Sequence, residues 1–108
     1  MAKLKEGLST RAFDPTEVIE TQADAALYLS IALESGDPDE VADAIGVIGR
    51  ALSQRADGGV KGLADSIGVS RSVMYQSFST GGNPRLGTLL AMVDQLGIRL
   101  QAIPKAAA

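Results

Sequence analysis

The residue types that most often carry catalysis or hold metals are missing, because the chain has neither cysteine nor histidine in its 108 residues. That removes thiolate nucleophiles, disulfides, zinc ribbons and the commonest general base together. Carboxylates, serines and lysines remain, but no nucleophile and base pair can be named along the chain. The expectation is a protein that is not an enzyme and needs no cofactor or metal. The cluster Asp37, Pro38, Asp39, Glu40 is better explained by helix capping than by a calcium site, and Gly81-Gly82 lacks the downstream lysine of a P-loop. Two Phe, two Tyr and no Trp leave little for stacking single-stranded bases.

The one stretch whose spacing points to chemistry runs from Val60 to Phe78. It reads as two short helices, 60–67 and 70–78, joined by a turn at Gly68, Val69 and Ser70. Leu63 and Ile67 anchor the first helix, and Ala64 is small where the second crosses it. Gly68 supplies a positive φ, Val69 plugs the junction, and Met74 and Phe78 face inward. This is the pattern of a helix-turn-helix, whose second helix enters the DNA major groove by its N-terminus. Arg71, Ser72, Tyr75 and Gln76 then project outward as the expected base contacts. Arginine matches guanine O6 and N7, glutamine matches adenine N6 and N7, and Ser72 suits a phosphate as well. Ser70 caps the helix and, with Lys61 and Arg85, is expected on phosphates, with Arg50 and Arg55 extending the footprint.

The elements that must hold this unit are marked by capping residues. Asp14-Pro15-Thr16-Glu17 and Asp37-Pro38-Asp39-Glu40 each place an acceptor, a proline and a glutamate in capping-box order; Asn83-Pro84 and Thr21 with Asp24 are weaker starts. Gly36, Gly58, Gly68, Gly81 and Gly97 mark the stops. The period predicts a helix over 21–35 with Ala25, Leu27, Tyr28, Ile31 and Ala32 inside. A second over 38–54 carries Val41, Ile45, Ile48 and Leu52, and a third over 84–96 has Leu86, Leu89, Leu90 and Val93 inside. Gly46 and Gly49 in mid-helix imply a close approach by another helix. After Gly97, Ile98, Leu100 and Ala102 alternate with polar residues as in a short strand. With no partner strand in this helical chain, pairing with a second copy is the expectation.

Length and charge set the frame. About 100 residues suits one domain with one modest core. No apolar run is long enough for a membrane helix, and the first residues have no apolar signal, so a cytoplasmic protein without membrane contact is expected. The net charge of −3 hides a division. Residues 1–43 hold ten acidic residues against Lys3, Lys5 and Arg11, whereas residues 44–108 hold seven basic residues against Asp57, Asp65 and Asp94. Such asymmetry points to two partners of opposite sign.

These features, taken in order, resemble the small HigA-like antitoxins of type II toxin–antitoxin modules, described as probable addiction module antidote proteins, with a DNA-binding unit related to Cro and other phage repressors. The resembling pieces are Phe13-Asp14-Pro15, Ala26-Leu27-Tyr28-Leu29, Ala32 to Asp37, Gly68-Val69-Ser70-Arg71, Met74-Tyr75, Gly82-Asn83-Pro84, Thr88-Leu89-Leu90 and Leu96-Gly97. The resemblance implies an all-α fold of five to six helices, lambda-repressor-like, with a short C-terminal β-strand. Residues 1–36 form an acidic extension and helix packed on the core, 37–103 the DNA-binding core with its terminal strand, and 104–108 a disordered tail. It also implies a homodimer that represses its own operon on double-stranded operator DNA and neutralises a RelE or HigB-like ribonuclease. Read with it, the charge division leads us to expect residues 14–43 to supply much of the toxin contact and residues 60–85 the DNA contact. Ser72 and Gln76 stand where the family often has glutamate and lysine, so operator preference does not carry over. A stand-alone Cro-like repressor without a toxin is the alternative.

Overall fold

The computed structural model describes residues 14–54 and 58–105. Arg55, Asp57, residues 1–13 of the acidic extension with Phe13, and residues 106–108 of the expected tail lie outside them. A short 3-10 turn, Pro15–Val18, is followed by five helices: α1 (Gln22–Ser35), α2 (Pro38–Ser53), α3 (Gly59–Ile67), α4 (Arg71–Ser77) and α5 (Leu86–Gln95). The described residues are thus helical and contain no strand.

Capping explains the starts. Asp14 accepts from the Thr16 amide at 3.0 Å, but this start opens only the 3-10 turn. The weaker pattern makes the full reciprocal box: the Asp24 amide donates to Thr21 Oγ1, and the Thr21 amide donates to Asp24 Oδ2, each at 3.1 Å. Asp37 accepts from the Asp39 amide at 2.9 Å with Pro38 as the first helical residue of α2.

Helix α2 is the centre of the molecule, packing against the 3-10 turn, α1 and α3. Ile45, Val47 and Ile48 are fully buried on it, joined in the core by Ile19, Met92 and Phe78. The two mid-helix glycines are close approaches, as expected. A Cβ on Gly46 would collide with the carbonyl oxygen of Phe78, and one on Gly49 would lie 2.7 Å from Met92 Cε.

Three expectations are corrected. In α1 the buried row is Ala25, Leu29 and Ala32, while Leu27 and Ile31 are 65% and 62% exposed. Apolar residues run nearly all round this helix, so two stripes satisfy the same spacing, and the one with small alanines lets α1 settle closely on α2. Helix α5 begins at Leu86, not Pro84; Arg85 precedes it without a side-chain capping bond. Its buried row is Met92, Val93 and Leu96 with Leu89 packed alongside, which turns Leu86 and Leu90 outward.

The expected strand after Gly97 does not form. Gly97 takes φ 76°, its amide donates to the Asp94 carbonyl at 3.0 Å, and the Ile98 amide donates to the Val93 carbonyl at 3.1 Å. That is a Schellman closure, which uses the Ile98 amide at the helix end and packs its side chain on the core. A single period-two segment has no partner strand among the described residues with which to build a ladder, and residues 99–105 run exposed without regular structure. No helix among the described residues is long and apolar enough to cross a membrane.

Candidate nucleic-acid interface

The turn between α3 and α4 is built from backbone geometry. Gly68 sits at φ 79°, its amide donates to the Asp65 carbonyl at 3.2 Å, and the Val69 amide donates to the Ala64 carbonyl at 3.1 Å. The same closure that ends α5 therefore ends α3, leaving the chain extended at Ser70. Ser70 Oγ then accepts from the Val73 amide at 3.1 Å and starts α4. Its hydroxyl proton stays available to donate outward, since a serine accepts and donates at once.

Met74 and Phe78 are 5% and 2% exposed and fix the inner side of α4. Arg71, Ser72, Tyr75 and Gln76 are all exposed. At about 100° per residue these four positions fall within about 140° of the helix circumference, one continuous face. The structure thus brings the expected base contacts together on a single helix. Tyr75 is 43% exposed and also lines a small crevice with Gly46 and Arg50 of α2 and Met92 of α5. Arg50, half-buried on α2, borders the same crevice.

The expected phosphate contacts are more dispersed. Lys61 is on α3 and its Nζ donates to Asp65 Oδ2 at 3.0 Å. Both side chains are well exposed, so this i,i+4 pair is weak and does not hold the lysine against a phosphate. Arg85 is exposed at the head of α5, on a different element from the α4 residues.

The loop between α4 and α5 is tied back to α2, because the Gly81 amide donates to Asp39 Oδ1 at 3.2 Å. A Cβ on Gly82 would collide with the Ser77 carbonyl oxygen, whereas Gly81 has open space but takes φ 85°, so close packing accounts for one glycine of the pair and backbone conformation for the other. One residue on α4 was not singled out from the sequence. Val73 is 44% exposed, an apolar side chain beside the polar face and suited to a thymine methyl group. Its signal in the sequence is that it falls off the Met74 and Phe78 row. Among the described residues no cluster of carboxylates has the grouping to hold a metal ion.

Comparison with known proteins gives the kinship. An uncharacterized protein of Haemophilus influenzae is 27% identical over 89 residues, covering 82% of this chain and 86% of that protein. No solved structure matches. Residues 9–104 match the family model for probable addiction module antidote proteins, a span that takes in the 3-10 turn and all five helices. The chain belongs to the family of probable addiction module antidote proteins.

Proposed function

We propose that the chain is an antitoxin with two activities: it binds and neutralises a RelE or HigB-like ribonuclease toxin, and it represses its own operon by sequence-specific binding to double-stranded DNA. The observation that carries the DNA half is the exposed row Arg71, Ser72, Tyr75 and Gln76 on a helix that follows another across a three-residue turn. In the helix-turn-helix reading α4 enters the major groove, with Arg71 and Gln76 as the readers of guanine and adenine. Lys61, Ser70 and Arg85 hold phosphates on either side. Two copies are needed for a two-fold operator, and exposed Leu86 and Leu90 on α5 with Leu100 and Ile103 beyond it offer apolar surface to a second copy.

Family membership supports the other half, because an antidote implies a toxin. Between Asp14 and Gly49 the chain has nine carboxylates and no lysine or arginine. A basic RNA-directed toxin is drawn to such a surface.

Binding to the DNA upstream of its own gene tests the first half. Arg71→Ala is expected to weaken specific binding by about 1 to 3 kcal/mol, more than it weakens binding to unrelated DNA. Equal affinity of wild type and variant for the upstream DNA would overturn the assignment of Arg71. Copurification with the product of the adjacent gene tests the second half; a neighbouring gene that encodes no small basic protein would leave a stand-alone repressor.

A further inference from the structure

The outward stripe of α1 has the layout of an interface. Asp24, Leu27, Ile31 and Glu34 follow one another at three, four and three residues, so an apolar centre is closed at both ends by carboxylates. Leu27 and Ile31 are among the most exposed large aliphatic side chains described. Beside them α1 and α2 leave a cleft of about 250 Å³ lined by Tyr28, Ile31, Ala32, Glu40, Asp43 and Ala44. Its floor is apolar, and its α2 wall carries two carboxylates that form no ion pair with any described residue.

We infer that this α1–α2 surface is the toxin-docking site. A cationic side chain of the toxin, lysine or arginine, enters the cleft with its stem along Ile31, Ala32 and Ala44 and its charge between Glu40 and Asp43. Neighbouring apolar residues of the toxin cover Leu27 and Ile31. The inference rests on the antitoxin reading and adds to it the surface and the chemistry of the contact.

Charge decides the occupant. A second copy would set Asp24, Glu34, Glu40 and Asp43 against their own duplicates, with no lysine or arginine from Asp14 to Gly49 to offset them. DNA is excluded for the same reason. An apolar centre within an acidic rim fits a partner with the inverse pattern, and a protein that binds RNA has the cationic residues to supply it.

The test is calorimetric titration of the full chain with the toxin encoded beside it. Leu27→Glu with Ile31→Glu is expected to weaken binding at least ~30-fold, as for removal of central anchor residues. Glu40→Gln with Asp43→Asn is expected to weaken binding and to flatten its dependence on salt. Leu33→Glu is the control, because Leu33 is 46% exposed but lies about 160° round α1 from Ile31 and about 120° from Leu27; it should leave affinity within threefold. All four positions altered in the binding variants are surface or cleft positions, and unchanged helical circular dichroism verifies that each variant is folded. Toxin binding by the wild type with unchanged affinity of the Leu27, Ile31 variant overturns the docking site and leaves the antitoxin reading standing. Equal losses in the Leu33 control, or a change of oligomeric state in place of a change in toxin affinity, also overturn the docking site. Absence of wild-type binding overturns both readings.

Discussion

At the scale of single residues, Tyr28 shows how burial and charge act on one side chain. Its phenol is raised from its ordinary value of 10.0, first by burial, then by the nearby Asp43 carboxylate, with Arg50 opposing. A raised phenol pKa means the folded state holds the proton more tightly than the unfolded chain does. Stability from this group is therefore complete below pH 10 and is lost as pH rises through the unfolded and then the folded value. Tyr28→Phe lacks that loss. Urea midpoints of wild type and variant should converge, or cross in favour of the variant, between about pH 9 and 11; a constant difference over that range would show that the folded environment does not perturb the phenol. The same residue lines the α1–α2 cleft, so its titration also reports on a surface assigned to the toxin. Arg71 and Gln76, by contrast, owe their proposed role to position alone: they stand exposed on α4 because Met74 and Phe78 claim the inner side.

At the scale of elements, the two Schellman closures after α3 and α5 set where the chain goes next, and glycine conformation is their requirement. Gly68 has φ 79° with nothing near a Cβ built on it, so Gly68→Ala has a backbone cost of about 1 to 2 kcal/mol and no clash. Gly87, inside α5, also has open space around it but no positive φ. Gly87→Ala should therefore stabilise the protein by about 0.5 to 1 kcal/mol. The two substitutions should move the urea midpoint in opposite directions; the same sign for both would refute the assignment. These closures also explain what the sequence revealed and what it hid. Gly68, Val69 and Ser70 gave away the turn because each residue type has a strict local duty, and the spacing to Met74 and Phe78 fixed the inner side of α4. Gly46 and Gly49 announced tight packing because glycine is costly in a helix. The inner stripe of α1 was not legible, since Ala25-Leu29-Ala32 and Leu27-Ile31 fit the same period and only the choice of neighbour separates them. The alternation after Gly97 misled for a related reason. Ile98 serves the helix end through its amide and the core through its side chain, and a one-chain period cannot reveal that.

At the scale of the whole molecule, the proposed function has a chain of pI near 4.8 bind DNA, which requires its acidic side to be separated and screened from α4. On α2, Glu40, Asp43 and Ala44 face the cleft with α1, whereas Gly46 and Gly49 face Phe78, Met92 and Leu63. At 100° per residue these two glycines lie about 200° and 140° round the helix from Ala44, so α1 sits across α2 from the unit proposed to read DNA. Helix axes pack about 8 to 10 Å apart, which places the α1 carboxylates more than one Debye length from α4 at physiological salt, where that length is about 8 Å. At 0.01 M salt the length grows to about 30 Å and the acidic side is felt by the DNA. Replacing Glu20, Asp24 and Glu34 by their amides should therefore speed association with operator DNA several-fold at 0.01 M salt and change it little at 0.15 M. Over the same range the overall affinity should fall steeply with salt if Lys61, Arg71 and Arg85 make the proposed contacts, since each would displace counterions from the DNA. Stopped-flow association rates at the two salt concentrations measure this. An equal gain at both would mean that the acidic helix lies close to the bound DNA, and a loss at low salt would mean that its carboxylates contribute to the complex; either result would undo the separation of the two faces.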